Sequence, residues 1–262
     1  MQEEMSRANK RAWETKAYEA WFRKNGSLED EARRLSRDPR HALRQWLKYL
    51  GDPRGKRVLN LLGSRGAKAI PLAILGGDVT VVDISEDNRR YATEVAAAVG
   101  VPLKYICADA VNIPDEESLG TFDIVLMETG ILHYFGDLGA LFAVVHRRLA
   151  AGGRFVLNDF HPLRRVLTNL DNPTNPWGHY FNDTVLEGEV AFAHLVPEED
   201  RPGLPHVLIR SWTVGDIVTA VASTGLSVRA FEEWPNTESP PTPEFFTLVA
   251  DKVESALPPL YP

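Results

Sequence analysis

Two kinds of residue in this chain have the type and spacing to bind a nucleoside. The turn Gly63-Ser64-Arg65-Gly66 follows the apolar run KRVLNLL and leads into AKAIPLA, so glycines and exposed amides sit where a strand passes into a helix. About 20 residues on, Asp83 ends the run DVTVVD, where a carboxylate can accept both hydroxyls of an adenosine ribose. Asp109, after KYICA, is a second acid at a comparable strand end. It is placed to accept an adenine amino group while a neighbouring amide meets a ring nitrogen. Each feature has a plainer reading: a tight turn for the glycines, and a cap on the next helix for Asp83, although Ser85 is better placed for that. Turn and acid together indicate an adenosine-containing ligand without choosing among such ligands.

These residues need elements to hold them. RVLNLL, DVTVVDI, KYICAD, FDIVLMET and GRFVLNDF read as five buried strands, separated by AKAIPLAILGG, SEDNRRYATEVAAAVG, a short acidic stretch (PDEESL) and DLGALFAVVHRRLAAGG. Such alternation predicts a parallel sheet covered on both faces. Ligands then lie beyond the carboxyl ends of the strands. Upstream, Trp13, Ala17 and Trp21 are expected to line one helix face, with Asn25-Gly26 ending it and Ser27 with Asp30 boxing the next helix. DPRHALRQWLKYLG reads as a third helical segment. After Phe160 a loop-rich stretch is followed by two candidate antiparallel strands, EVAFAHLV and HVLIRSW. Thr213 with Asp216 boxes a helix, and LSVRAFEEW and EFFTLVADK are the last strands. The expected division is a helical cap over 1–55, a core over 56–160 and 213–252, an inserted lid over 161–212, and a tail over 253–262.

The order of these pieces resembles the class I S-adenosylmethionine-dependent methyltransferases. The likeness runs from about Lys56 to Lys252. It rests on the turn, Asp83 after VTVV, ADA after strand three, FDIVLMETGILHYF, LAAGGRFVLNDF and a closing antiparallel hairpin. It implies a seven-stranded, mostly parallel sheet, S-adenosylmethionine as cofactor with S-adenosylhomocysteine as product, and contacts from Gly63, Ser64, Asp83, Ile84, Asp109 and Ala110. The chain departs from the family pattern D-x-G-x-G-x-G: Asn60 stands near the acid's position, Leu62 replaces a glycine, and Arg65 lies inside the turn. Glu128 or Asn60 is then expected to serve the amino group of the methionine part, and Arg65 either its carboxylate or only solvent.

The resemblance also places METGILHYFGD beside the transferable methyl. His133 and Tyr134 become candidates for acceptor contact, with His133 a possible general base near neutral pH or, alternatively, a packing residue. His161, in NDFHP, is a third candidate, equally readable as structural. Glu128, His133, Asp159 and His161 match no metal-ligand spacing, so no metal is expected. Trp13 and Tyr18 either dock the first helix or flank the sulfonium. The aromatics Trp177 and Tyr180 mark the insert as substrate-selective.

Bulk properties narrow the class further. The net charge of -7 argues against nucleic acid as partner. The single Cys107 excludes an internal disulfide framework, and no apolar stretch reaches the length of a membrane span. An intracellular, cytoplasmic enzyme acting on a small-molecule acceptor is the reading. Alternatives are an NAD-dependent oxidoreductase and a non-catalytic adenosine-nucleotide-binding protein. Acceptor identity and oligomeric state are not legible.

Overall fold

Arg57–Leu61 forms β1, and past its first residue it is buried throughout, as a strand with both faces covered must be. The computed structural model describes residues 1–114, 119–168, 178–237 and 242–253; Trp177, nearly all of the acidic stretch 114–119 and nearly all of the tail lie outside them. On one side β1 pairs in parallel with β2 (Asp78–Asp83), which pairs with β3 (Lys104–Cys107). On the other side it pairs with β4 (Phe122–Glu128), followed by β5 (Leu149–Phe160).

The sheet closes with an antiparallel pair, β8 (Leu226–Pro235) and β9 (Pro243–Lys252), giving the order β3-β2-β1-β4-β5-β9-β8. This is the expected fold class: seven strands, mostly parallel, with a final hairpin. Alternation along the strands divides the core. Leu59, Leu61, Val125, Met127, Phe155 and Leu157 pack on one face, toward α8 (Leu138–Arg148) and α10 (Val214–Ser223). Val58, Ile124, Leu126 and Val156 pack on the other, with α5 (Leu47–Leu50) and α6 (Ala69–Ile74).

The N-terminal segment differs from the expected single amphipathic helix. It forms α1 (Gln2–Trp13) and α2 (Ala17–Asn25), broken at Lys16, which adopts φ 66. That left-handed residue turns the chain so that Trp13 and Trp21 converge on Phe192, with ring centroids 5.4 and 5.8 Å away. The predicted capping box of Ser27 and Asp30 opens α3 (Leu28–Arg37). The third segment splits into α4 (Pro39–Ala42) and α5.

The insert corrects a second expectation. Its two-stranded sheet pairs β6 (Val185–Gly188) with β7 (Val207–Arg210), so EVAFAHLV is not a strand. Val190, Phe192, Ala193 and Val196 instead wind through a turn with a 3-10 segment at Ala193–Leu195 and bury against α1 and α2. Their spacing suits one face of a helical turn as well as it suits a strand.

Candidate functional site

The carboxyl ends of β1, β2 and β4 form the floor of the candidate site. Leu62 and Ser64 hold φ 61 and φ 46, so the turn keeps the left-handed backbone that glycines usually supply, and it does so with side chains that pay strain for it. Gly63 is required by packing, since a Cβ there would lie 2.7 Å from Asn60 Oδ1. Asn60 is therefore not at the cleft surface. It is fully buried beneath the turn and donates from Nδ2 to the Leu126 carbonyl, leaving Oδ1 unpartnered.

Asp83 organises this edge. Its Oδ2 accepts from the Ser64 amide at 3.0 Å, while Oδ1 accepts from the Ser85 amide and from Asn88 Nδ2. Burial raises its pKa, and these bonds oppose the shift. Ser85, not Asp83, caps α7 (Glu86–Val99). Ile84 is half-buried, and its carbonyl accepts from the Cys107 thiol. Asp109 is half-buried and accepts from the Val111 amide. The Ala110 methyl belongs to the core.

Glu128, at the end of β4, is the acid with the most open valence. Among the described residues no hydrogen bond reaches its carboxylate. Burial raises its pKa, with the positive charges of Lys68 and Arg65 pulling the other way. Lys68 is itself desolvated, which lowers its pKa, and its ammonium lies 4.3 Å over the Trp46 ring. Arg65 is committed elsewhere: Nη1 donates to Glu31 Oε1 at 3.0 Å and the guanidinium lies over Trp21. The expected role of Arg65 toward a ligand carboxylate would require that buried pair to open.

Beyond β4 the chain turns through Thr129 (φ 34) and Gly130 into a 3-10 segment, Leu132–Tyr134. Asp159 fixes this turn by accepting from the amides of Gly130, Ile131 and Leu132, and also of Phe160. His133 and Tyr134 are thereby brought side by side, with ring centroids 4.2 Å apart. Burial, aided by Arg165, pushes the His133 pKa down to about 3, so the ring is neutral at ordinary pH. Burial raises the Tyr134 phenol, which stays protonated beside Trp13.

The other candidates are placed as follows. His161 Nδ1 accepts from the Leu163 amide as the cap of α9 (Pro162–Leu167), while its buried Nε2 makes no hydrogen bond, although Glu233 Oε1 lies 2.9 Å away. Tyr18 is turned onto α7, its amide bonded to Asp87 and its hydroxyl to Glu94, away from the strand ends. Trp13 packs on Tyr134 and so borders the site. The Tyr180 hydroxyl accepts from the Val214 amide. Among the described residues no His, Cys, Asp or Glu cluster suits a metal. Lys68, Asp159 as a loop anchor and Arg165 were not singled out for these roles from sequence. Only Lys68, two residues past the turn, carried a sequence signal, its nearness to Gly66.

Residues 61–157 match the methyltransferase domain family. Over 100 residues the chain is 36% identical to an uncharacterized protein of Mycobacterium tuberculosis, covering 38% of this chain and 32% of that one. Over 104 residues it is 35% identical to a ubiquinone biosynthesis O-methyltransferase of Caulobacter sp., covering 39% and 40%. The matched segment thus spans only about a third to two fifths of these curated relatives. The structure of magnesium protoporphyrin IX methyltransferase from Synechocystis with bound S-adenosylhomocysteine superposes with TM-score 0.58 at 17% identity, covering 92% of this chain and 95% of that one. That likeness is one of fold. The chain thus contains a stretch similar to the methyltransferase domain over residues 61–157 and shares its Rossmann-like fold with a solved methyltransferase.

Proposed function

We propose that this protein transfers a methyl group from S-adenosylmethionine to a small-molecule acceptor. The observation that carries the reading is Glu128, a desolvated carboxylate accepting no hydrogen bond among the described residues, at the same edge of the sheet as Asp83. The chemistry of this set fits the cofactor. Asp83 can take a ribose hydroxyl, Asp109 an adenine amino group, and Glu128 the ammonium of the methionyl part, in place of the acid absent at Asn60. Lys68 supplies a cation for the neighbouring carboxylate.

When bound, the cofactor supplies an electrophilic methyl and a neutral thioether leaving group. The chain contributes position and dryness, worth roughly 7–11 kcal/mol when reactants are held in line. His133 and Tyr134 face the acceptor as neutral hydrogen-bonding groups. A neutral imidazole accepts from an O–H or N–H and so orients its lone pair, without being the final home of the proton. Nothing in the sheet supports the dinucleotide alternative, because its last two strands run as an antiparallel pair.

Calorimetry with S-adenosylhomocysteine tests the reading. Micromolar binding is expected, weakened at least tenfold by Asp83→Ala. Failure of both S-adenosylhomocysteine and S-adenosylmethionine to bind would overturn it.

A further inference from the structure

Resting on the methyl-transfer reading, we propose that Tyr105 is a positioning residue for the cofactor: its hydroxyl clamps the Ser64 carbonyl and so aims the Arg65 amide at the ligand. With Asn60 at the acid's place in D-x-G-x-G-x-G, Leu62 and Ser64 stand where the pattern has glycines, and Gly66 matches it. Both residues nevertheless keep a glycine-like backbone, at φ 61 and φ 46. A side chain disfavours that region, so neighbouring groups have to hold each residue in it.

For Leu62 the hold is a backbone bond, its amide donating to the Val82 carbonyl at 2.7 Å. For Ser64 it comes from two side chains. Asp83 Oδ2 accepts from the Ser64 amide at 3.0 Å, and Tyr105 Oη donates to the Ser64 carbonyl at 2.8 Å. The strand register explains how a residue of β3 reaches the turn that follows β1. Asn60, Val81 and Tyr105 stand abreast on three neighbouring strands and so point to one face. The turn folds back over this row. A Cβ on Gly63 would lie 2.7 Å from Asn60 and 2.9 Å from Val81, and one residue later the Ser64 carbonyl meets Tyr105. Burial, and then the charge of Asp83, raises the Tyr105 pKa, so the phenol keeps its proton and acts as a donor.

The two bonds differ in what they do for a ligand. Asp83 is itself a ligand residue in this reading, so a docking ribose shares the carboxylate that holds the Ser64 amide. Tyr105 fixes the other side of the residue independently of that exchange. The Ser64 carbonyl and the Arg65 amide belong to one planar trans peptide and point opposite ways. Holding the carbonyl on Tyr105 therefore turns the Arg65 amide outward, where it makes no hydrogen bond among the described residues.

Calorimetry with S-adenosylhomocysteine on a double-mutant cycle tests the proposal. Tyr105→Phe removes one oxygen and should weaken binding about fivefold or more, the scale of one hydrogen bond. A glycine takes the left-handed region without steric cost, so in a Ser64→Gly background the same substitution should weaken binding less than about twofold. In a Ser64→Ala background, which keeps a Cβ, the full loss should return. A merely structural tyrosine would give the same loss in all three backgrounds. That result overturns the proposal, as does a negligible loss in the wild-type background. A second measurement needs no variant to fold: the Tyr105 hydroxyl proton of the wild type should give an NMR resonance whose exchange with water slows when S-adenosylhomocysteine binds. Exchange too fast to observe in both states, or unchanged by the ligand, overturns the proposal too. Wild-type protein that binds neither S-adenosylhomocysteine nor S-adenosylmethionine sinks the methyl-transfer reading itself, whereas normal wild-type binding indifferent to Tyr105→Phe sinks only the clamp.

Discussion

Burial sets the electrostatic states of Glu128 and His133, the two residues on which the proposed methyl transfer leans most. Burial raises the folded-state pKa of Glu128 above its unfolded value, so its contribution to stability is present below the unfolded pKa and is lost as pH rises through the folded one. At neutral pH the ionised group thus costs stability while offering a partner to an ammonium. Glu128→Gln should melt at the same temperature as wild type or higher at pH 7, with that advantage vanishing toward pH 4. The same variant should bind S-adenosylhomocysteine about tenfold to a hundredfold more weakly, since one hydrogen bond to a charged group is worth about 1.5–3 kcal/mol. A lower melting temperature at pH 7 with unchanged affinity would show Glu128 to be structural. His133 has the opposite sign. Its folded pKa is depressed to about 3, so its stabilising contribution is present above the unfolded pKa and fades as pH falls through the window down to about 3. The Cε1–H resonance of His133 should stay at its neutral position from pH 8 to pH 5; a midpoint near 6.5 would restore it as a general base.

At the scale of elements, the turn after β4 depends on a single side chain from β5. Parallel pairing of Glu128 with Asn158 brings Asp159 under Gly130, Ile131 and Leu132, where it replaces the missing ladder bonds of three successive amides. Asp159→Ala should cost about 3 kcal/mol in urea unfolding, because it leaves buried donors without acceptors. Hydrogen exchange at those three amides should accelerate well beyond the global change; uniform acceleration would contradict the anchoring role. This dependence explains what was legible in the sequence. Strands and their order were, because buried runs alternating with helices leave few alternatives to a parallel sheet. The positions of the glycine turn and of Asp83 at strand ends were, because such a sheet exposes those ends on one side. The commitments of Asn60, Arg65 and His161 were not. They depend on Gly63 crossing Asn60, on Glu31 arriving from α3, and on Glu233 arriving from β8, pairings between elements far apart in the chain. Trp13, Ala17 and Trp21 had the right period for one helix, and only the left-handed Lys16 between them made two.

For the whole molecule, the question is how a ligand reaches strand ends that the N-terminal helices already cover. Ser85 Oγ donates to the Trp13 carbonyl at 2.7 Å, Trp21 Nε1 donates to Asn88 at 2.8 Å, and Arg65 pairs with Glu31 at 3.0 Å. Asp83, Ser85, Asn88 and Glu31 are all at most 7% exposed in this arrangement. The first three helices thus hold Ser85 and Asn88, the partners of Asp83, and Arg65 of the turn, so a cofactor docking on Asp83 as proposed would be coupled to displacement of this cap. Glu31 is the point where that coupling is most concentrated, since its one buried carboxylate joins Arg34 and Arg65 and so ties α3 to the turn. If the cap opens before the ligand arrives, the stopped-flow rate of S-adenosylhomocysteine binding, read from Trp13 and Trp21 fluorescence, should level off at high ligand concentration. Glu31→Gln weakens the tie without removing bulk. It should raise that plateau several-fold while lowering the melting temperature, because Arg65 is left buried with a neutral partner. A rate that stays linear in ligand and indifferent to Glu31→Gln would mean that the cap closes only after binding, and that the covered strand ends are reached by a path the N-terminal helices do not control.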